Sequence, residues 1–315
     1  MDFNGLIELT PERRRLQAVV QEGAVSIERM WNDKTTPVIA WDSSLDAYIS
    51  RREEFFDQCE RMTKDVTPWT ILKALRADQK RNEILIWNQG SIPSCCLTSA
   101  SHAYQFSLLY SIALGASVKY DAVNPIYSHY GATGGRMGTG EDLFGAAEWI
   151  NKTGNFPVSL VGNDNLSVPV DEGMFMDAAN GYTVAVVPIE DPTPEVIYRL
   201  SRAKLPLFFG SSYYFGSATT DKNGIGIGAA LSAGAHAETT GISAFEIGNE
   251  RYVYIQNSHG NRYGSDRTGR PESGYYVTMN QLARLCESMS RYGSPCVVIP
   301  RGEKDDHLSF LPVML

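Results

Sequence analysis

The segment Trp87-Asn88-Gln89-Gly90-Ser91-Ile92-Pro93-Ser94-Cys95-Cys96-Leu97 is where the fold and the chemistry of this chain are decided. A strand-like run from Ile84 to Trp87 ends in a Gln-Gly turn, and Cys95 then opens a long apolar stretch that predicts a helix. Ser94 is a favourable N-cap, so Cys95 is expected at a helix N-terminus, where the dipole and the unpaired N–H groups favour a thiolate. Gln89 adds an amide donor six residues earlier. The segment alone leaves two interpretations open, a nucleophilic cysteine or two buried cysteines in a core helix.

Length, composition and charge limit the class of protein. A chain of 315 residues can form one large domain or two lobes, and its 43% hydrophobic and 20% charged content is typical of a globular protein. The net charge of −8 argues against a general surface for nucleic acid or anionic membranes. No apolar run is long enough for a bilayer, and we find no secretory signal. The five cysteines include a vicinal pair and no zinc spacing, which indicates the cytoplasm or another reducing compartment.

The pattern of polar and apolar residues divides the chain into three parts. Residues 1–75 are polar and mainly helical in pattern, with a helix start at Thr10-Pro11-Glu12 and a helical stretch from Ser44 to Lys64. We interpret them as an N-terminal helical extension, either an added structural layer or a docking or inhibitory segment. Residues 76–180 contain the Cys95 helix and read as a helical lobe. Short strands with Gly-rich turns then define a β-rich lobe over 181–315.

His236 and Asn257 stand at the two ends of a predicted β-hairpin. His236 opens one strand, Gly248-Asn249-Glu250 forms a turn, and Asn257 ends the returning strand. A hairpin brings these two ends together, although either residue alone is as readily a capping or loop residue. Combined with Cys95 as the nucleophile, His236 fits a general base and acid, and Asn257 fits the residue that orients the imidazole. The Gln89 side chain and the Cys95 N–H group fit an oxyanion hole.

These residues and their order resemble the papain-like cysteine peptidases over roughly residues 84–290. The Gln89-to-Cys95 segment is similar to the family's step from the oxyanion Gln to the nucleophile, and His236 follows Cys95 by 236 − 95 = 141 residues, within the family's spacing of about 130–150. Asn257-Ser258-His259-Gly260 resembles the family's Asn-Ser-Trp-Gly segment. Four such motifs in the same order are far more specific than any one of them.

The resemblance implies an α+β fold of two lobes, with the Cys95 helix heading a helical lobe and a β-barrel-like lobe carrying His236 and Asn257. It implies a cleft between the lobes for a peptide or protein substrate, and neither a metal nor an organic cofactor. Gly134 and Gly135 resemble the glycine pair that hydrogen-bonds the substrate backbone. Ala235 is expected beside the pocket for a substrate side chain.

Three positions depart from the family pattern. Cys96 stands where a Trp usually follows the nucleophile, His259 replaces the Trp that covers the Asn–His hydrogen bond, and Ile92 replaces a disulfide cysteine. The leading hypothesis is a cysteine peptidase that cleaves peptide or isopeptide bonds. One alternative is a weak or inactive papain-like fold used for assembly or binding in a larger complex, with a protein partner docking on residues 1–75. Another is a cell-wall-type amidase of a different Cys-His fold.

Overall fold

Among the residues that the structure describes, helices predominate before residue 184, and strands predominate after it, where two helices lie between strands. The computed structural model describes residues 46–47, 49–50, 52–54, 56–57, 60, 66–113, 118–163, 184–289 and 291–300. The helix start at Thr10, the residue Cys59 and the boundary near position 180 lie outside these residues. The helices are α1 Pro68–Ala74, α2 Cys95–Ala113, α3 Pro125–Ala132, α4 Leu143–Lys152, α5 Val158–Val161, α6 Pro194–Arg202 and α7 Met279–Met289. The strands are β1 Val184–Pro188, β2 Leu207–Thr220, β3 Gly226–Thr240, β4 Ala244–Ile247, β5 Glu250–Gln256, β6 Gly274–Thr278 and β7 Cys296–Pro300. The predicted α+β class is confirmed.

Helix α2 is the central element of the helical part. It contains neither Gly nor Pro, and every residue from Cys95 to Ser111 is buried, as expected for a helix that is apolar on most sides. Ser94 precedes it directly, but its hydroxyl group meets the Thr98 hydroxyl at 3.2 Å instead of forming the predicted bond to a backbone N–H group. Within the part of the chain that the structure describes, no helix has the length and apolar character to span a membrane.

The segment before α2 is extended but is not the predicted strand. Two side chains of α2 form hydrogen bonds with the backbone of this segment instead. The Trp87 N–H group donates to His102 Nε2 at 2.9 Å, and Gln105 Nε2 donates to the Leu85 carbonyl at 3.0 Å. Buried backbone groups need such partners, so the helix supplies what a neighbouring strand would otherwise supply. His102 thereby has the structural role that its place in the middle of the helix predicts.

The seven strands form one sheet in the order β1-β7-β2-β3-β6-β5-β4. The long strand β3 pairs in parallel with β6 at Ile227 and antiparallel with β5 at Thr239, and β5 also pairs with β6. These three strands therefore close on one another, which agrees with the barrel-like lobe expected from the sequence. The register of β3 against β5 sets Thr239 opposite Gln256, next to Asn257.

The predicted hairpin between His236 and Asn257 is wrong in detail. The hairpin lies between β4 and β5, with its turn at Gly248, where φ is +63°. His236 belongs instead to β3, which begins at Gly226 and includes most of the Gly-rich stretch 223–234. Pairing with β2 along most of its length makes this stretch a strand despite its low β-propensity. His236 and Asn257 still meet, because β3 and β5 pair near their ends.

Residues of the N-terminal extension pack on the second part of the molecule. Every described residue between positions 46 and 60 is helical. Arg52 is buried and donates from Nε and from one terminal nitrogen to the carbonyl oxygens of Ala203 and Lys204, both at 2.9 Å. Ile49 enters the apolar cluster under α6, and Phe56 contacts the Tyr110 ring of α2, with 5.6 Å between centroids. These contacts join the extension to both α2 and the strand-rich part.

Ion pairs complete this contact at α6. The Thr193 side chain caps the start of this helix by accepting from the Val196 N–H group. Its last turn presents Arg199 and Arg202, which pair with Asp46 at 2.6 Å and with Asp57 respectively. Lys204, just beyond the helix, is buried and pairs with Glu60 at 2.8 Å.

Candidate active site

His236 and Asn257 form the best-defined pair of the site. Both are fully buried, and 3.0 Å separates His236 Nε2 from Asn257 Oδ1. The Asn257 amide is oriented by its other contacts, since Nδ2 donates to Glu238 at 2.9 Å and to the Tyr263 hydroxyl at 2.7 Å. Oδ1 also accepts from the Ser258 N–H group at 2.6 Å. Because Oδ1 faces the ring, Nε2 must be the protonated nitrogen of the neutral imidazole, and Nδ1 carries the lone pair.

Nδ1 of His236 is the nitrogen left for chemistry. It has no hydrogen-bond partner among the described residues. Burial, and then the charge of His259, lower the pKa of His236 to about 3 against the opposing hydrogen bond to Asn257. The imidazole is therefore neutral near pH 7 unless an anion lies beside it. A neutral ring with an unprotonated Nδ1 is the form that accepts a proton from a thiol.

Two aromatic rings enclose His236. The His259 ring stacks on it, with 4.6 Å between centroids and an interplanar angle of 10°. The Tyr214 ring approaches edge-on at 5.2 Å. Burial, and then the charge of Arg262, lower the pKa of His259 to about 4, so this ring is also neutral near pH 7. His259 thus covers one face of the His236 ring with a neutral aromatic ring.

Cys95 is the first residue of α2, as predicted, and it is fully buried. Its N–H group belongs to the first turn, where backbone donors have no partner within the helix. Cys95 lies in the same apolar cluster as Ala237, and Ala235 packs against that cluster, so both neighbours of His236 pack in the region of the core that contains the cysteine. The Thr239 hydroxyl also donates to the Ser99 carbonyl at 2.8 Å and ties β3 to the start of α2.

The other described thiols lack the features of a nucleophile. Cys96 Sγ donates to the Glu141 carbonyl at 2.9 Å, and burial, followed by the Cys95 thiol, raises the pKa of Cys96. Burial raises the pKa of Cys286 and of Cys296 to about 12 each. These three groups therefore remain protonated near pH 7, and Cys96 serves as a packing residue, as interpreted from the sequence.

Gln89 lies against the Asn257 segment. Its backbone N–H group donates to the Ser258 carbonyl at 2.9 Å, and its Oε1 accepts from the Ser258 hydroxyl. Nε2 donates to the Ile92 carbonyl at 3.1 Å. An amide nitrogen carries two hydrogens, so one more donor is available from Gln89. The Ile92 carbonyl can only accept, so it fixes which end of the amide is the nitrogen, and Oε1 is left facing the Ser258 hydroxyl.

Gly134 and Gly135 lie in an exposed turn after α3, with φ of +61° and +82°. Their N–H groups donate within the turn, to the Gly131 carbonyl at 3.1 Å and to the Tyr130 carbonyl at 2.8 Å. Both N–H groups are therefore already bonded within the turn and are not available to a substrate backbone. The substrate contact expected for these two glycines stays a prediction. Ala235 is half-buried beside the Cys95 cluster and stays a prediction as well.

The sequence interpretation missed Glu238, Tyr263 and Tyr275, which surround Asn257 and contact one another. One local signal existed for Glu238. It follows His236 by two positions, and residues two apart on a strand point to the same face. The two tyrosines reach this place from a loop and from β6, so only the tertiary structure brings them there.

The arrangement is therefore a candidate Cys-His-Asn site on an α+β fold. No protein-family model matches the sequence, and no curated protein matches it. The chain is similar to xylellain, a cysteine protease from Xylella fastidiosa, at 14% identity over 75% of this chain and 90% of that one, with a TM-score of 0.49. It is similar to procathepsin B S9 from Trypanosoma congolense at 11% identity, over 91% and 88% of the two chains, with a TM-score of 0.49. It is also similar to the bromelain protease from Ananas comosus, in complex with the E64 inhibitor, at 14% identity over 70% of this chain and 94% of that one, with a TM-score of 0.47.

Proposed function

We propose that this chain is a papain-like cysteine peptidase that cleaves peptide or isopeptide bonds with Cys95, His236, Asn257 and Gln89. One observation carries the proposal. The Asn257 amide holds His236 Nε2 as a donor, which leaves Nδ1 unprotonated and without a partner among the described residues, and both neighbours of His236 pack in the core region that contains Cys95. His102 differs, because its Nε2 accepts from the Trp87 N–H group and its Nδ1 therefore carries the proton. A buried, unprotonated nitrogen without a partner fits a proton acceptor better than a packing residue.

The reaction would proceed in two halves. Nδ1 of His236 takes the proton of Cys95, and the thiolate attacks the substrate carbonyl carbon. The negative oxygen that forms would accept bonds from the Cys95 N–H group and from Gln89 Nε2. The carbon–nitrogen bond then breaks as the imidazolium protonates the leaving amine, which leaves a thioester on Cys95. His236 next removes a proton from water, the hydroxide attacks the thioester, and the thiol leaves with that proton.

Labelling with an epoxysuccinyl probe tests the nucleophile. We expect the probe to alkylate Cys95 in the folded protein, as located by peptide mass spectrometry, because the other described thiols remain protonated and His236 can take the Cys95 proton. Cys95→Ser should abolish the labelling, and His236→Ala should slow it. Cys96→Ser is the matched control and should be labelled like the wild type. Equal labelling of all thiols, or labelling that survives Cys95→Ser, would exclude the mechanism.

Gln89→Ala separates binding of the probe from turnover. It should leave Cys95 labelling nearly unchanged and slow hydrolysis of a fluorogenic peptide by about 10²–10³-fold, the usual cost of one oxyanion donor. Unchanged hydrolysis would remove Gln89 from the oxyanion hole.

A second candidate function is a binding or assembly protein that keeps the fold without turnover. The complete burial of both Cys95 and His236 favours it, since a substrate needs access to the thiol. Labelling of Cys95 that occurs only after denaturation, together with no hydrolysis, would support this function over the peptidase.

A further inference from the structure

Glu238 is a buried carboxyl group beside the candidate active site. It lies in β3 two residues after His236, and only 1% of the residue is exposed. Its Oε1 accepts from Asn257 Nδ2 at 2.9 Å and from the Tyr275 hydroxyl at 2.7 Å. Oε2 has no partner among the described residues. The carboxyl group is therefore bonded directly to the residue that orients the imidazole.

Such a group is costly at this place. Burial of a carboxylate without a cation is strongly unfavourable, and none of the contacts made by this carboxyl group is with a basic side chain. An apolar side chain of similar size would fill the same space without that cost. What the glutamate adds is an acceptor directed at Asn257 Nδ2.

That acceptor, together with the Ser258 N–H group that donates to Oδ1, sets which way the Asn257 amide faces. Oε1 of Glu238 accepts two hydrogen bonds, so the proton of the neutral acid lies on Oε2. If the amide rotated by half a turn, its oxygen would face Oε1, and two acceptors would oppose each other. Its nitrogen would then face both the Ser258 N–H group and His236, and Nε2 of the ring would have to become the acceptor. The unprotonated nitrogen would no longer be Nδ1, so the ring could not take the thiol proton in its present orientation.

We propose that Glu238 is a positioning residue that holds the Asn257 amide with Oδ1 toward His236 and thereby keeps the imidazole in the tautomer that accepts the Cys95 proton. The inference rests on the proposed peptidase function. It assigns to Glu238 no contact with the substrate, because the carboxyl group acts through Asn257.

The carboxyl group also introduces a charge that changes with pH. Burial raises the pKa of Glu238 to about 8, against the opposing hydrogen bonds of Tyr275 and Asn257. The other groups around it titrate elsewhere, because burial raises the pKa of Tyr263 and of Tyr275 far above this range and lowers that of His236 to about 3. The His259 ring, which stacks on His236, has a pKa of about 4. Above pH 8, a carboxylate at this position favours the imidazolium form of His236.

Two substitutions separate the acceptor from the charge. Glu238→Gln keeps an oxygen for Asn257 Nδ2 and removes the titration. Glu238→Leu removes the acceptor. At pH 6.5 we expect Glu238→Gln to keep kcat for a fluorogenic peptide within about threefold of the wild type. We expect Glu238→Leu to lower kcat by about tenfold, which is the rate equivalent of one hydrogen bond, with KM little changed. We also expect kcat/KM of the wild type to rise between pH 7 and 9, as the Glu238 carboxylate forms, and Glu238→Gln to lack this rise.

Tyr275→Phe is the matched control, because it removes the other donor to the same oxygen and leaves the bond to Asn257. It should keep wild-type kcat at pH 6.5. An equal loss of kcat in Glu238→Gln and Glu238→Leu, or a wild-type kcat in Glu238→Leu, would overturn the proposal. Thermal unfolding of each variant shows that it is folded.

A measurement without turnover separates this proposal from the proposed function. The ¹⁵N chemical shifts of the His236 ring report which nitrogen is protonated. We expect the Nε2–H tautomer in the wild type and in Glu238→Gln, and a mixture in Glu238→Leu. If the wild type neither hydrolyses peptides nor reacts with the probe, the peptidase function fails while this result still decides the role of Glu238. A single Nε2–H tautomer in Glu238→Leu would overturn it.

Discussion

Arg52→Ala tests whether residues 46–60 are an integral layer of the fold. The guanidinium group is buried, with 7% of the residue exposed, and it donates to the carbonyl oxygens of Ala203 and Lys204 at 2.9 Å each. Those two residues end the turn after α6, where Lys204 has φ of +53°. The substitution removes both hydrogen bonds and leaves two carbonyl groups without this donor.

The magnitude follows from the kind of bond. A hydrogen bond to a charged group contributes about 1.5–3 kcal/mol, so two of them contribute about 3 kcal/mol at the low end of that range. A protein of ordinary stability has a free energy of unfolding of about 5–15 kcal/mol, so the loss is a large fraction of the total. We therefore expect a fall of about 3 kcal/mol in the free energy of unfolding of Arg52→Ala.

Urea denaturation followed by tryptophan fluorescence measures the change. Arg76→Ala is the matched control, because it also removes a guanidinium group, but one that pairs with Asp78 in solvent. Exposed ion pairs contribute little, so the control should keep the wild-type midpoint. If Arg52→Ala and Arg76→Ala unfold at the same urea concentration, the docked position of residues 46–60 is refuted.

The remaining predictions concern the rings and the carboxyl group around His236. His259→Ala removes the stacked ring and should lower kcat by about two- to tenfold, the value of an aromatic pair, whereas His259→Phe should keep it near pH 7. Because His259 has a pKa of about 4, the acid limb of the kcat/KM profile should extend to lower pH in His259→Phe, and an unchanged limb would exclude the coupling. Glu238 titrates at about 8 when folded and near 4.5 when unfolded, so the folded state binds the extra proton between these values. The wild type should therefore lose stability as the pH rises from 4.5 through 8, and Glu238→Gln should show a flatter dependence in chemical denaturation at pH 5, 7 and 9.

Local signals in the sequence predicted the elements that depend on neighbouring residues. The start of α2 at Cys95 and the cap at Thr193 followed from residues within one turn of each helix end. The Gln89-to-Cys95 spacing likewise concerns a single short segment. Such features require no knowledge of the partner elements, so a linear pattern suffices.

The errors occurred where a distant partner decides the structure. The segment 84–87 has β-type composition, but His102 and Gln105 of α2 bind its backbone and no strand forms. The Gly-rich stretch before His236 has a loop composition, but β2 pairs with it and makes it a strand. The acceptor role of Glu238 depends on Asn257 and on β6. In each case the deciding contact is between segments that the pattern of residues does not connect.

The position of the extension bears on how the site would be controlled. Phe56 contacts Tyr110, which follows Cys95 in α2 by 110 − 95 = 15 residues. At 1.5 Å per residue this is about 22 Å along the helix. Arg52 and the acidic residues near it bind at α6 and Lys204. A segment anchored at the far end of α2 does not block the thiol at its near end, so its removal would weaken the fold before it exposed Cys95. The contacts of residues 46–60 therefore favour a structural layer over an inhibitory segment.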